Sequence, residues 1–250
     1  MTPRSITVRI SLFFILFLVN GCMETGDYLD EGSFEENEQE IGNTWDIGII
    51  PASTSCPYGG ALREIHMDDE DNNNKSKVFG WVGATESSHN TTFRFCRVDG
   101  SNFFPLAWAS PSNVSAYYAV LKMGSECPNG SFEFSRYFDN EDKNNSNWAN
   151  GDIEPSWVRA NTHMVFCLFR GAGPGYAMSA FPDLGIEYGV FADLESESTF
   201  PLAIDVGYVY TDDEDRNNAN YHRANIDWSR DAQRIISGAS NTQLDMVRVH

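Results

Sequence analysis

The chain has 250 residues, 41% of them hydrophobic and 13% aromatic, so it can form a folded core and is not disordered over its whole length. It carries 36 acidic against 17 basic residues, which gives a net charge of −19. A surface this acidic repels phosphate backbones, which argues against nucleic acid as a partner and favours cations.

The first segment predicts export. Arg4 and Arg9 flank a short basic start, and residues 10–19 form an apolar run shorter than the roughly 20 residues that a membrane-spanning helix needs. The following Val19-Asn20-Gly21-Cys22 resembles the lipobox of bacterial lipoproteins, in which the cysteine is lipidated. The resemblance implies a signal peptide over residues 1–21, a membrane anchor at Cys22 and a location in the cell envelope or on the outer surface. An ordinary secretory signal is the alternative, and it would release the protein as a secreted one.

Residues 22–43 predict a flexible tether. The segment is rich in Glu, Asp, Gly and Asn and contains almost no aliphatic residues. It cannot bury enough apolar surface to offset the loss of chain entropy, so we expect it to stay extended.

An acidic seven-residue segment occurs three times, with starts 71 and 73 residues apart. We call these segments loop 1 (68–74), loop 2 (139–145) and loop 3 (212–218). A short apolar segment begins 21, 21 and 24 residues before the loops, and an Asn-Thr pair follows after 22, 22 and 29 residues. The spacing predicts three tandem repeats, about 44–114, 115–184 and 185–250, within one domain over residues 44–250. The third repeat carries small insertions.

The local patterns predict strands. The apolar runs are short, rich in Val, Ile, Phe and Tyr, and bounded by Gly, Pro, Asn and Ser, whereas no long window has a period of 3.6 residues. Three or four strands per repeat cannot bury their own face, so the repeats must share a core. We predict an all-β domain with pseudo-threefold symmetry, β-prism-like or β-trefoil-like.

Four cysteines remain after Cys22, and their spacing follows the repeats. Cys56 and Cys96 in the first repeat, and Cys127 and Cys167 in the second, are each 40 residues apart. Equal spacing in equivalent units predicts the disulfides Cys56–Cys96 and Cys127–Cys167 and an oxidising compartment. A zinc site is the alternative, but the lone Cys-Pro-x-Gly segments lack the paired thiolates of zinc ribbons.

Each loop concentrates carboxylates and amides, the oxygen ligands that Ca²⁺ prefers. The loops lack the glycine and the final glutamate of an EF-hand, and a plain polar turn built on Asx hydrogen bonds is the alternative. The candidate Ca²⁺ ligands are Asp68, Glu70, Asp71, Asn73, Asp139, Glu141, Asp142, Asn144, Asp212, Glu214, Asp215 and Asn217.

Aromatic residues follow the loops closely. Asp and Asn next to a flat ring are typical of carbohydrate sites, so the candidate ligand-binding residues are Trp81, Trp148, Trp228 and Tyr221. Packing in the core or at its rim is the alternative for each.

Three functions therefore stand at this point. The first is a membrane-tethered, Ca²⁺-dependent binding module with a glycan or cell-surface ligand. The second is a structural or adhesive envelope protein whose loops only shape hairpin ends. The third is a secreted hydrolase of the glycosidase type, although three equivalent sites in one chain are unusual for an enzyme. No catalytic residue is predicted.

Overall fold

The computed structural model describes residues 43–71, 73–107, 117–141, 143–171, 177–194, 200, 202–214, 218–225 and 229–249. They belong to one compact unit over residues 41–250. The predicted signal peptide, Cys22 and all of the tether except residue 43 lie outside the described residues. Within the described part, no helix has the length and apolarity needed to cross a membrane.

The described residues form fifteen strands and one α-helix, so the predicted all-β class is confirmed. The strands are β1 (Asp46–Pro51), β2 (Leu62–Met67), β3 (Lys77–Gly80), β4 (Glu86–Ser87), β5 (Thr91–Asp99), β6 (Tyr118–Lys122), β7 (Ser131–Phe138), β8 (Trp148–Asn150), β9 (Trp157–Val158), β10 (Thr162–Phe169), β11 (Tyr188–Ala192), β12 (Asp205–Thr211), β13 (Tyr221–Ala224), β14 (Ile236–Ser237) and β15 (Thr242–Val249). The helix α1 spans Ser229–Ile235, and short 3-10 turns cover Pro57–Gly59 and Gly100–Asn102.

Strands β1, β6 and β11 pair with one another and are buried along their whole length. Alternate side chains enter two different apolar clusters: Ile47 and Ile49 face one, and Ile50 faces the other. A strand that is buried on both faces needs apolar residues at successive positions, not an alternating pattern. This explains the continuous apolar runs upstream of the loops.

Three antiparallel pairs, β2–β5, β7–β10 and β12–β15, hold the loops at their ends. The last strand residue before each loop faces the Thr of an Asn-Thr pair: Met67 faces Thr91, Phe138 faces Thr162 and Thr211 faces Thr242. Each loop therefore leaves its antiparallel pair at the same register position.

The strand that follows each loop pairs with a different antiparallel pair. β3 pairs with β12, β8 with β2 and β13 with β7. At every loop the chain thus passes from one antiparallel pair to another, and we call β3, β8 and β13 the crossover strands. The three passages form a closed cycle. Since each pair is completed by a strand from elsewhere in the chain, no pair is a separate folding unit.

Both predicted disulfides are confirmed. Cys56 is bonded to Cys96, and Cys127 to Cys167, with 40 residues separating the cysteines in each case. Cys96 and Cys167 are fully buried in the cluster that also contains Ile47. The bonds anchor the segments before β2 and β7 to the core.

The sequence did not predict α1, which lies between β13 and β14. Its seven residues span two turns, too few for a helical period to stand out, yet Ala232 and Ile235 are buried in the core. The helix accounts for the longer spacing between loop 3 and Asn241.

Candidate acidic site

The three acidic loops are hydrogen-bonded to one another in a closed cycle. In each loop the Glu backbone N–H donates to a carbonyl of another loop: Glu70 to Asp212 at 2.7 Å, Glu141 to Asp68 at 2.9 Å and Glu214 to Asp139 at 2.8 Å. A cycle of this kind requires all three loops at once, so the loops form one structure. The sequence alone predicted three separate sites.

The first Asp of each loop also serves this junction. Its carboxylate accepts from a backbone N–H in the short segment that links another loop to its following strand: Asp68 from Ser146 at 2.8 Å, Asp139 from Ala219 at 2.7 Å and Asp212 from Lys75 at 2.7 Å. Charge-assisted bonds of this type are stronger than neutral ones. These three candidate ligands therefore already use one carboxylate oxygen to hold the loops together.

The last Asn of each loop makes the same three hydrogen bonds in all three places. The side-chain N–H of Asn145, for example, donates to the carbonyls of Glu141 at 2.6 Å and Ala160 at 2.8 Å, while its side-chain oxygen accepts from Asn147 N–H at 3.0 Å. Asn74 and Asn218 repeat the pattern. The neighbouring Asn73 and Asn144, predicted as ligands, are exposed and have φ of 57° and 58°.

The glutamates converge. Glu70, Glu141 and Glu214 are buried, and one carboxylate oxygen of each lies within 4.8 Å of those of the other two. Glu141 also accepts from the backbone N–H groups of Lys143 at 2.8 Å and Asp71 at 3.2 Å. The sequence placed these carboxylates in three candidate sites, and the structure brings them to a single point.

A family model described as Bacterial ApeC matches residues 31–176, which is more than half of the chain. The chain belongs to the bacterial ApeC family. The matched range contains loops 1 and 2 and both disulfides, and it ends before loop 3. Comparison with curated proteins and with solved structures found no match.

The second residue of each loop is fully buried in this ApeC chain: Asp69, Asn140 and Asp213 have no exposed surface. Asp69 accepts from the hydroxyls of Thr91 at 2.6 Å and Ser76 at 2.8 Å. Burial raises the pKa of Asp69 well above its usual range. The hydrogen bonds from the two hydroxyls lower this pKa, whereas the nearby charges of Asp213 and Asp212 raise it. Their burial could not be predicted from the sequence, because Asp and Asn in an acidic loop are expected to face solvent.

Asp213 has a similar environment. Its carboxylate accepts from Thr242 at 2.6 Å, from Asn220 at 2.7 Å and from Thr211 at 2.9 Å. Burial nevertheless raises the pKa of Asp213 to about 6. These donors reduce the cost of the buried charge without removing it.

The other predicted ligands of the ApeC chain are not part of the carboxylate group formed by the three glutamates, or they lie outside the described residues. Asp71 is exposed, and Asp142, Asp215, Asn217 and Trp228 are not described. Trp81 packs at the rim of the core, with its ring where a side chain on Gly189 would lie. That contact favours the packing interpretation for Trp81.

Trp148 and Tyr221 are 42% and 40% exposed and occupy the same place, nine residues after the first Asp of a loop. Trp148 stacks on His66 across β8 and β2, and Tyr221 stacks on Tyr137 across β13 and β7. Lys77 holds the third such place and lies over the ring of Tyr210, 5.5 Å from its centroid. The shared offset was present in the sequence, but Lys, Trp and Tyr have no common chemistry that would have drawn attention to it.

Proposed function

We propose that this ApeC chain is an exported binding module with three repeats around a pseudo-threefold axis, whose loops jointly hold one Ca²⁺ ion. The observation that carries the proposal is the convergence of Glu70, Glu141 and Glu214 within 4.8 Å. The cyclic pairing of the crossover strands and the closed cycle of loop hydrogen bonds support the threefold arrangement.

Like charges at this separation need compensation. Burial weakens the screening by water, so three carboxylates held together repel one another strongly, and a bound cation would offset that repulsion. Each loop offers only oxygen atoms as metal ligands, which fits a hard cation such as Ca²⁺ better than zinc. The ion would then link the loops at their meeting point and stabilise the whole domain.

The test is the Ca²⁺ dependence of the melting temperature. At a concentration ten times the Kd, a single site adds about 1.4 kcal/mol to the free energy of unfolding. We expect CaCl₂ to raise the melting temperature of the wild-type protein, and expect a variant with Glu70→Gln, Glu141→Gln and Glu214→Gln to show no Ca²⁺ effect.

The matched control is Asp71→Asn, which removes one exposed carboxylate of loop 1. This variant should respond to Ca²⁺ like the wild type. If the melting temperature of the wild-type protein does not change at millimolar Ca²⁺, or if the triple variant responds equally, the proposed site is wrong.

A second candidate function, a structural or adhesive role with no ion, has its own support in Glu141. Two backbone N–H groups already donate to this carboxylate, so part of its charge is compensated by the protein itself. The Ca²⁺ titration separates the two functions, because a purely structural junction would show no response to the ion.

We propose a glycan as the ligand of the module. It is supported by the exposed rings of Trp148 and Tyr221, each stacked on a second ring at equivalent places on the surface. Flat exposed rings next to polar side chains suit the faces of sugars. A glycan array probed with wild-type protein and with Trp148→Ala tests this, and equal signals from both proteins would remove Trp148 from the site.

Export and attachment to a membrane through Cys22 complete the proposal. Two disulfides favour an oxidising compartment, in keeping with the basic start and apolar run of residues 1–21. Metabolic labelling with a palmitate analogue should label the wild type and not Cys22→Ser. Absence of the label from both would leave the protein secreted.

A further inference from the structure

One cross-strand pair differs in kind from its two counterparts. Three residues before the first Asp of a loop, Ile65 and Val209 are fully buried, and they face Ala149 and Val78 on the crossover strands. The corresponding pair at β7 and β13 is Arg136 and His222. Arg136 is only 1% exposed. A guanidinium therefore stands where the other two places have an apolar core residue.

The donors of Arg136 are only partly used. Nη2 donates to the Thr242 hydroxyl at 2.6 Å, and Nη1 donates to Nδ1 of His222 at 3.2 Å. The Nε N–H is buried without a hydrogen-bond partner. Among the described residues, no carboxylate lies within ion-pair distance of this guanidinium. The negative charge that compensates the guanidinium is that of Asp213, because the Thr242 hydroxyl accepts from Arg136 and donates to Asp213.

This arrangement keeps the guanidinium charged and the imidazole neutral. Arginine cannot be deprotonated in proteins, so Nδ1 of His222 must accept the hydrogen bond. Burial and then the charge of Arg136 lower the pKa of His222 to about 4. Burying a cation without a paired anion is costly.

The pair lies in the wall of a pocket of about 530 Å³. The far wall comes partly from α1, which has no counterpart in the described parts of the other two repeats and contributes Ser229 and Gln233. The rest comes from Ser237 of β14 and from Gly238 and Ala239, which follow it. Tyr221 lines the same pocket. The helix α1 thus borders the one described place where a cation stands instead of an apolar residue.

We propose that this pocket binds a small organic anion, whose carboxylate meets the Arg136 guanidinium and whose body lies between β13 and α1. The planar guanidinium matches a carboxylate in shape and charge. The volume is that of an ordinary small-molecule site. The site is single, and its lining includes none of the three glutamates, so the proposal does not rest on the Ca²⁺ site.

The experiment follows the ring resonances of His222 by NMR while sodium acetate replaces sodium chloride at constant ionic strength. Acetate is the minimal probe of the carboxylate subsite, and His66 on β2 is the internal reference. We expect a saturable shift at His222 and none at His66. Arg136→Ile, which installs the residue found at the equivalent Ile65, should raise the half-saturating acetate concentration at least about tenfold, because it removes a charge-assisted hydrogen bond.

A second variant keeps the test decisive if Arg136→Ile does not fold. Ala239→Phe fills the pocket from its exposed rim and leaves Arg136 in place, so it should also abolish the saturable shift. A shift at His222 that does not saturate, or one that saturates unchanged in the folded Arg136→Ile protein, overturns the proposal. Saturation by inorganic phosphate but not by acetate overturns the carboxylate assignment.

Discussion

Replacing Asn145 by Ala is expected to lower the free energy of unfolding by about 3 kcal/mol, since three hydrogen bonds of about 1 kcal/mol each are lost. The side chain joins the carbonyls of Glu141 and Ala160 and accepts from the backbone of Asn147. The first carbonyl belongs to the loop and the second to the segment before β10. The substitution therefore removes a hydrogen bond that holds loop 2 to the start of β10. Urea unfolding of the two proteins measures the difference.

The adjacent residue provides the control. Asn144 is exposed with a φ of 58°, a conformation that glycine adopts freely, so Asn144→Gly should change the free energy of unfolding by less than about 1 kcal/mol. Asn74→Ala and Asn218→Ala should resemble Asn145→Ala, because they lose the same bonds. Equal effects at Asn144 and Asn145 would contradict the role given to the last Asn of the loops.

Replacing Asp213 by Asn is expected to stabilise the protein at pH 8 by about 3 kcal/mol. Burial raises the pKa of Asp213 from 3.8 to about 6, and a shift of about two pKa units corresponds to about 3 kcal/mol. Because the folded-state pKa lies above the unfolded one, the neutral acid stabilises the fold fully below about pH 4, and this contribution is lost as the pH rises through about 6. Asn resembles the protonated acid in shape and lack of charge, and it stays neutral at every pH.

Unfolding of wild type and variant at pH 8 and at pH 4 measures the gain, which should be present at the higher pH and nearly absent at the lower. The reverse change has a natural site, since loop 2 already contains Asn140 at the equivalent buried place. Asn140→Asp should destabilise the protein at pH 8 and have little effect at pH 4. An Asp213→Asn effect that does not change with pH would show that the buried charge is not its cause.

The strands that form the core could be predicted from the sequence because buried strands consist of continuous apolar residues. Ile47, Val120 and Val190 belong to apolar runs with no competing helical period, and the two disulfides followed from equal cysteine spacing. The prediction of three or four strands per repeat fell short of the fifteen observed. The missing ones include β3 and β8, whose four and three residues are exposed and too few to show an alternating pattern. Their pairing partners lie in another part of the chain.

The acidic loops could be located from the sequence, but their internal roles could not. Glu70, Asp69 and Asp71 are neighbours of similar chemistry, yet the first joins two other glutamates, the second is fully buried and the third is exposed. These differences come from the crossover between antiparallel pairs, which determines where each side chain points. The amide ligand was likewise assigned to Asn144, whereas Asn145 makes the hydrogen bonds.

The central claim is that the three loops form one ion site. Calorimetric titration of Ca²⁺ into the metal-free protein tests it most directly, because the stoichiometry differs between the possible arrangements. We expect one ion per chain, and no binding heat in the protein that carries Gln at positions 70, 141 and 214. Three equivalent ions per chain would show that each loop binds separately, and an absence of binding heat in the wild type, with no change in melting temperature, would contradict the site altogether.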